Sequence, residues 1–165
     1  MQIDHWTGLL ARPAAVEMLE DKHDGQLLLA DIDQFKFVNS VLGHTVGDET
    51  LRVIADLARQ HLTDSVLCRY GGDEFLAYSQ VGGLTAKAEA WRVAVGQRLM
   101  SERNETCAGT KEAGIIDPPR DGLLTLTIAV GNRTNASVAD DLTRLGAAAH
   151  AAKKLGGNRV VEVSS

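Results

Sequence analysis

Arg69-Tyr70-Gly71-Gly72-Asp73-Glu74-Phe75 sets two adjacent glycines and two adjacent acids between the apolar runs Val66-Leu67-Cys68 and Phe75-Leu76-Ala77-Tyr78. Two β-like runs joined in this way read as a β-hairpin, so a sheet has to be built around this point. The glycine pair permits backbone with positive φ and lets a bulky ligand approach the main chain. The two acids are then presented at an exposed turn and not in a core. A solvated hairpin turn accounts for these residues. A phosphate ligand held through a divalent metal accounts for them too, because it needs bare backbone beside carboxylate oxygens.

A second group of acids lies upstream. Gln26-Leu27-Leu28-Leu29-Ala30 is a continuous apolar run, as expected of a strand buried on both faces. It ends in Asp31-Ile32-Asp33, where the two acids share one face and Ile32 takes the other. The pair suits either a hard-metal site or a solvated strand end.

Asn39 and Asp48 follow, an amide and a carboxylate that complement a purine edge. A helix is expected over 46–62 from the spacing of Leu51, Ile54, Leu57 and Ala58. Asp48 and Glu49 would sit in its first turn and also suit the helix dipole. His44, alone among loop residues, reads as structural.

The remaining elements are simpler. Pro13 suits the first turn of a short helix over 14–19. Gly82-Gly83 is a turn, and Thr85 is a candidate N-cap for a helix striped with Leu84, Ala88, Trp91, Val95 and Leu99. Trp91 reads as core. The polar stretch 101–121 reads as a long loop with a short strand at Ile115-Ile116, and 122–130 reads as a strand. Ser137 caps an alanine-rich helix running to about Leu155, stopped by Gly156-Gly157. Lys153 and Lys154 in its last turn fit dipole complementation or a phosphate contact. Arg159-Val160-Val161-Glu162-Val163 closes as a strand.

Charge narrows the ligand class. A net charge of −5 argues against a nucleic-acid or anionic-membrane surface, but not against a nucleotide whose charge metal ions neutralise. The length of 165 residues suits one domain. Cys68 falls in a core strand, so no structural disulfide is expected and a reducing compartment follows. No run reaches transmembrane length and no signal-peptide pattern is present.

These pieces, in this order, resemble the GGDEF domain family, the diguanylate cyclases. Asp4-His5-Trp6-Thr7-Gly8-Leu9 is similar to the family's opening motif. Asp31-Ile32-Asp33, Phe35-Lys36, Asn39, Gly43-His44 and Gly47-Asp48 match its first-strand signature, and Arg69 to Phe75 its name motif. Thr125 to Val130 resembles the later strand. Ala152-Lys153, Gly156 and Asn158-Arg159 resemble the C-terminal motif.

The resemblance implies an α/β (α+β) ferredoxin-like nucleotidyl-cyclase palm, with a central, mostly antiparallel sheet flanked by helices. One GGDEF domain over 1–165 is expected, cut from a longer signalling protein. The implied reaction condenses two GTP into cyclic di-GMP and two pyrophosphates where two domains meet as a homodimer. Asp31, the Ile32 carbonyl, Asp73 and Glu74 would bind two Mg²⁺ or Mn²⁺ ions per site, with Asp73, Glu74 and Asp31 catalytic. Glu74 would be a further ligand or a general base. Asn39 and Asp48 would read guanine. Phe35, Lys36, Gly71, Gly72 and Lys153 would approach the substrate, Lys36 as a charge, the Phe35-Lys36 loop through its backbone N–H groups and Lys153 at the terminal phosphates. A cytoplasmic domain is implied, with no membrane contact of its own. The alternative is a non-catalytic module that binds GTP or cyclic di-GMP as a sensor.

Departures from the family pattern are also legible. Gly157 stands where the family has Arg, with Lys154 or Arg159 as conceivable substitutes. Gly146 and His150 replace a usual Asp and Tyr. The inhibitory Arg-x-x-Asp register holds Leu62-Thr63-Asp64-Ser65, so its Arg is absent and Asp64 is displaced by one position. Loss of product inhibition at that site is expected.

Overall fold

Gln26–Ile32 (β2) divides its side chains between two cores. Leu28, Ala30 and Ile32 enter one and Leu27 and Leu29 the other, as the alternation of a strand requires. The computed structural model describes residues 1–112 and 124–165, with side chains through residue 99 and again from residue 124. The other elements are β1 (Leu10–Ala11), α1 (Arg12–Glu20), α2 (Phe35–Phe37), a π-helical turn at Val38–Leu42, and α3 (His44–His61). They continue with β3 (Val66–Arg69), β4 (Glu74–Ser79), α4 (Leu84–Glu112), β5 (Leu126–Asn132), α5 (Val138–Lys154) and β6 (Arg159–Val163).

The sheet order is β1-β3-β4-β2-β5-β6. The interior pairings β3–β4, β4–β2 and β2–β5 are antiparallel, and the outer pairings β1–β3 and β5–β6 are parallel. The sheet is therefore mixed, antiparallel at its centre, and the α/β palm expectation holds. Phe75 and Ala77, with Ile128 and Val130, join the core beneath α3 and α4. Leu76, Tyr78 and Ala129 join the core beneath α1 and α5. Trp91 is fully buried, donates from Nε1 to the Ile54 carbonyl at 3.1 Å, and meets Phe75 edge-on at 6.0 Å between ring centroids.

Several boundaries differ from expectation. Helix α4 continues to Glu112, so 101–112 is helical and not loop. Extending an existing helix requires no new nucleation, and the apolar stripe from Leu84 to Leu99 ends before the helix does. The expected strand at Ile115-Ile116 lies outside the described residues. Thr85 is not the N-cap, because α4 already includes Leu84. The Gln26 side chain accepts from the Leu84 N–H at 2.9 Å instead, tying the helix start to β2. Ser137 does cap α5, accepting from the Asp140 N–H at 3.1 Å. Helix α3 starts at His44, which puts Asp48 and Glu49 beyond its first turn and removes their dipole role. Among the described residues, no helix is long and apolar enough to cross a membrane.

Candidate active site

Antiparallel pairing of β2 with β4 sets Asp31 directly opposite Glu74. Both project to the α5 side of the sheet, the side taken by Leu29 and Leu76. The Ile32 N–H donates to the Asp73 carbonyl at 3.0 Å, fixing the turn acid at the end of β2. Burial raises the Asp31 carboxyl above its usual range, and the charges of Asp73 and Asp33 add to this while Lys153 opposes it. Burial likewise raises Glu74, helped by the charges of Asp31 and Asp73. These acids therefore feel one another, and the site has a deficit of positive charge.

One cation meets that deficit. Lys153, in the last turn of α5, places Nζ 2.5 Å from Asp31 Oδ1 and 3.3 Å from the Ile32 carbonyl oxygen. The donor set fits Mg²⁺ or Mn²⁺: carboxylate and carbonyl oxygens are hard ligands, and two of them already converge on a positive charge. Among the described residues, no three His, Cys, Asp or Glu side chains stand close enough to hold a metal by themselves. A Cβ on Gly71 would lie 2.4 Å from Glu74 Oε2, so the Glu74 side chain folds back over that glycine.

Gly71 therefore serves by lacking a side chain. Neither Gly71 nor Gly72 adopts positive φ, contrary to the expected use of the pair. Gly72 is exposed with open space where a Cβ would be, which leaves bare backbone at the turn.

Asp33 has a different task from Asp31. It accepts from Thr125 Oγ1 at 2.7 Å, Thr127 Oγ1 at 2.7 Å and the Asn158 N–H at 2.9 Å. Its oxygens are engaged in joining β2, β5 and the turn after α5, so Asp33 is neither the solvated strand end nor a free donor, and Asp31 alone of the pair faces the cation. Its register was the available signal: Thr127 lies opposite Asp31, and Thr125 lies on the same face two residues away.

Asn39 lies in the π-helical turn with its amide against Gly47, where a Cβ would stand 2.0 Å from Asn39 Oδ1. Asp48 follows Gly47 on α3, so the two guanine candidates are brought together. Phe35 is buried in the core and its ring packs beneath Gly47, so its side chain anchors the loop whose backbone N–H groups are the expected phosphate contact. Lys36 is exposed on the three-residue α2. Arg159 donates to the Leu155 and Gly157 carbonyls at 2.8 and 3.0 Å, which ties its guanidinium to the turn after α5.

The sequence matches the family described as diguanylate cyclase, GGDEF domain, over residues 2–159. The chain belongs to the GGDEF family. This GGDEF domain is 36% identical over 140 residues to the response regulator PleD of Caulobacter vibrioides, covering 81% of this chain and 28% of PleD. It is 30% identical over 176 residues to diguanylate cyclase DgcM of Escherichia coli K12, covering 96% of this chain and 37% of DgcM. The chain thus spans well under two thirds of these relatives. The GGDEF domain of DgcB from Caulobacter crescentus, solved in complex with c-di-GMP, shares the fold. Its TM-score is 0.75 at 24% identity, over 97% of this chain and 92% of that one.

Proposed function

We propose that this GGDEF domain condenses two GTP molecules into cyclic di-GMP and two pyrophosphates, with two domains meeting face to face as a homodimer. The observation that carries the reading is the convergence of Asp31 and the Ile32 carbonyl on one cation, with Glu74 opposite and Asp73 at the adjoining turn. Mg²⁺ or Mn²⁺, two per site, would be held by Asp31, the Ile32 carbonyl, Asp73 and Glu74, and would neutralise phosphate charge and acidify the attacking 3′-hydroxyl.

The chain's own groups divide the remaining work. Glu74, with its raised carboxyl, suits accepting a proton better than an ordinary glutamate. Asp48 accepts from the guanine N1 and N2 donors, which adenine does not present as a pair, and Asn39 adds an amide to the same edge. Lys36 supplies charge to the phosphates, and Gly72 lets them approach the main chain. The relatives' greater lengths support the further reading that the domain is the output module of a longer signalling protein.

Product inhibition through the register before the name motif is absent in this reading. Leu62 is buried in the core, and the Lys87 ammonium donates to the Thr63 carbonyl at 2.6 Å. No guanidinium is therefore offered at that register.

GTP turnover with Mg²⁺ at several protein concentrations tests the proposal. Cyclic di-GMP should form at a rate steeper than linear in protein, and Asp73→Ala should abolish it while the circular dichroism spectrum stays unchanged. A folded Asp73→Ala protein with full activity would sink the assignment. Gly157 favours a second reading, a sensor that binds nucleotide without turnover, because the family's Arg is missing there. Tight GTP binding with no product would select it.

A further inference from the structure

Lys153 donates to two oxygens, Asp31 Oδ1 and the Ile32 carbonyl, which the functional reading assigns to a metal ion. The ammonium sits in the deficit of positive charge created by Asp31, Asp73 and Glu74. A divalent ion bound to Asp31 and Ile32 through contacts of about 2.1 Å would stand within a few ångströms of that ammonium. At such separations the repulsion between the two cations is large against thermal energy. The two cannot share these oxygens.

The helix end that carries Lys153 is fastened. The Asn158 N–H donates to Asp33 Oδ2 at 2.9 Å and to Thr127 Oγ1 at 3.1 Å, and Gly157 packs on both of those side chains. Arg92 Nη1, from α4, holds the Asn158 side chain at 2.5 Å. The backbone of residue 153 is thereby kept beside the end of β2. The Lys153 side chain remains 29% exposed, so it can leave Asp31 by rotating towards solvent.

We propose that Lys153 is a placeholder for the divalent ion: its ammonium occupies the Asp31–Ile32 position in the nucleotide-free domain, and the phosphates of an incoming nucleoside triphosphate draw it off and open that position to metal. Metal and nucleotide then bind with positive coupling, because each removes an obstacle to the other. Free metal binds weakly, and the complete site assembles only around substrate. The placeholder role rests on the functional reading for the identity of the metal position. Its test needs no turnover.

Mn²⁺ binding, read from the loss of the free-ion paramagnetic resonance signal, measures the exchange directly. Lys153→Met without nucleotide should bind Mn²⁺ about threefold to fivefold more tightly than wild type, the scale of removing one partly exposed ion pair. Lys153→Gln, which keeps a donor for Asp31 without the charge, should behave like Lys153→Met. Lys153→Arg, which keeps the charge, should bind as weakly as wild type. Adding Asp31→Asn to Lys153→Met should erase the gain.

A non-hydrolysable GTP analogue should tighten Mn²⁺ binding more in wild type than in Lys153→Met. If folded Lys153→Met and Lys153→Gln bind Mn²⁺ no better than wild type, the placeholder role is wrong. Cyclic di-GMP formation by wild type would then leave the functional reading standing. A gain in Mn²⁺ affinity that depends on Asp31, in a protein that never turns over GTP, would support the exchange and reject the cyclase.

Discussion

The carboxylate of Asp33 fills the space that a side chain at Gly157 would need. A Cβ there would stand 2.9 Å from Asp33 Oδ1 and 2.9 Å from Thr127 Oγ1, on a residue with φ of +64°. Gly157 is required by the turn that fastens α5 to the end of β2, whatever the loss of its family Arg costs in phosphate contacts. Gly157→Arg should therefore destabilise the domain by about 1–3 kcal/mol, from backbone strain and the displaced Asp33. It should not raise turnover. Urea unfolding and GTP turnover on the same preparation check both statements.

Glu74 places a carboxyl where its anion is disfavoured, by burial and by the charges of Asp31 and Asp73. A raised carboxyl favours the folded state while protonated. That contribution is full below the ordinary glutamate value of about 4.3 and is lost as pH rises through the raised value. At pH 7 the anion weakens the fold, so Glu74→Gln should raise Tm by about 1–3 °C while removing turnover. The gain should shrink as the pH of the melt is lowered and vanish below about pH 4. A constant gain at every pH would assign the effect to packing.

Asp4 joins the opening motif to the name motif. It accepts from the Thr7 N–H at 2.9 Å and Thr7 Oγ1 at 2.7 Å, and pairs with Arg69 Nη1 at 3.3 Å. Arg69 Nη2 in turn donates to the Gly72 carbonyl at 2.8 Å. Burial would push the Asp4 carboxyl up, but the Thr7 hydrogen bonds and the Arg69 charge hold it below its usual range. Asp4→Ala leaves a largely buried guanidinium without its anion and should cost about 1–3 kcal/mol in urea unfolding. The difference from wild type should close as pH falls through the lowered Asp4 value.

Trp91 binds α4 to α3 through its Nε1 hydrogen bond and fills the core beneath Phe75. Trp91→Phe removes the donor and part of the volume, leaving the Ile54 carbonyl dependent on its helix partner. A loss of about 1–3 kcal/mol is expected. The same variant should keep GTP affinity, because Trp91 is fully buried and its hydrogen bond and ring contact go to Ile54 and Phe75 in the core. A calorimetric titration with GTP checks this.

Local chemistry determined much of this domain without reference to its fold. The hairpin at Gly71-Gly72, the doubly buried strand β2, the Ser137 cap and the strand Arg159–Val163 follow from patterns spanning a few residues. So does the placement of Asp31 at a strand end. Tertiary structure decided what those patterns leave open. Asp31 and Asp33 are equivalent in sequence, and only pairing with β5 and the turn after α5 gives one a cation and the other three hydrogen bonds. Phe35 stands beside Lys36 in the motif, yet the core takes its ring. Gln26 caps α4 from 58 residues away. Periodicity reports which face a residue occupies. What it meets on that face depends on which distant segment packs there, a choice made by burial and hydrogen bonding across the whole chain.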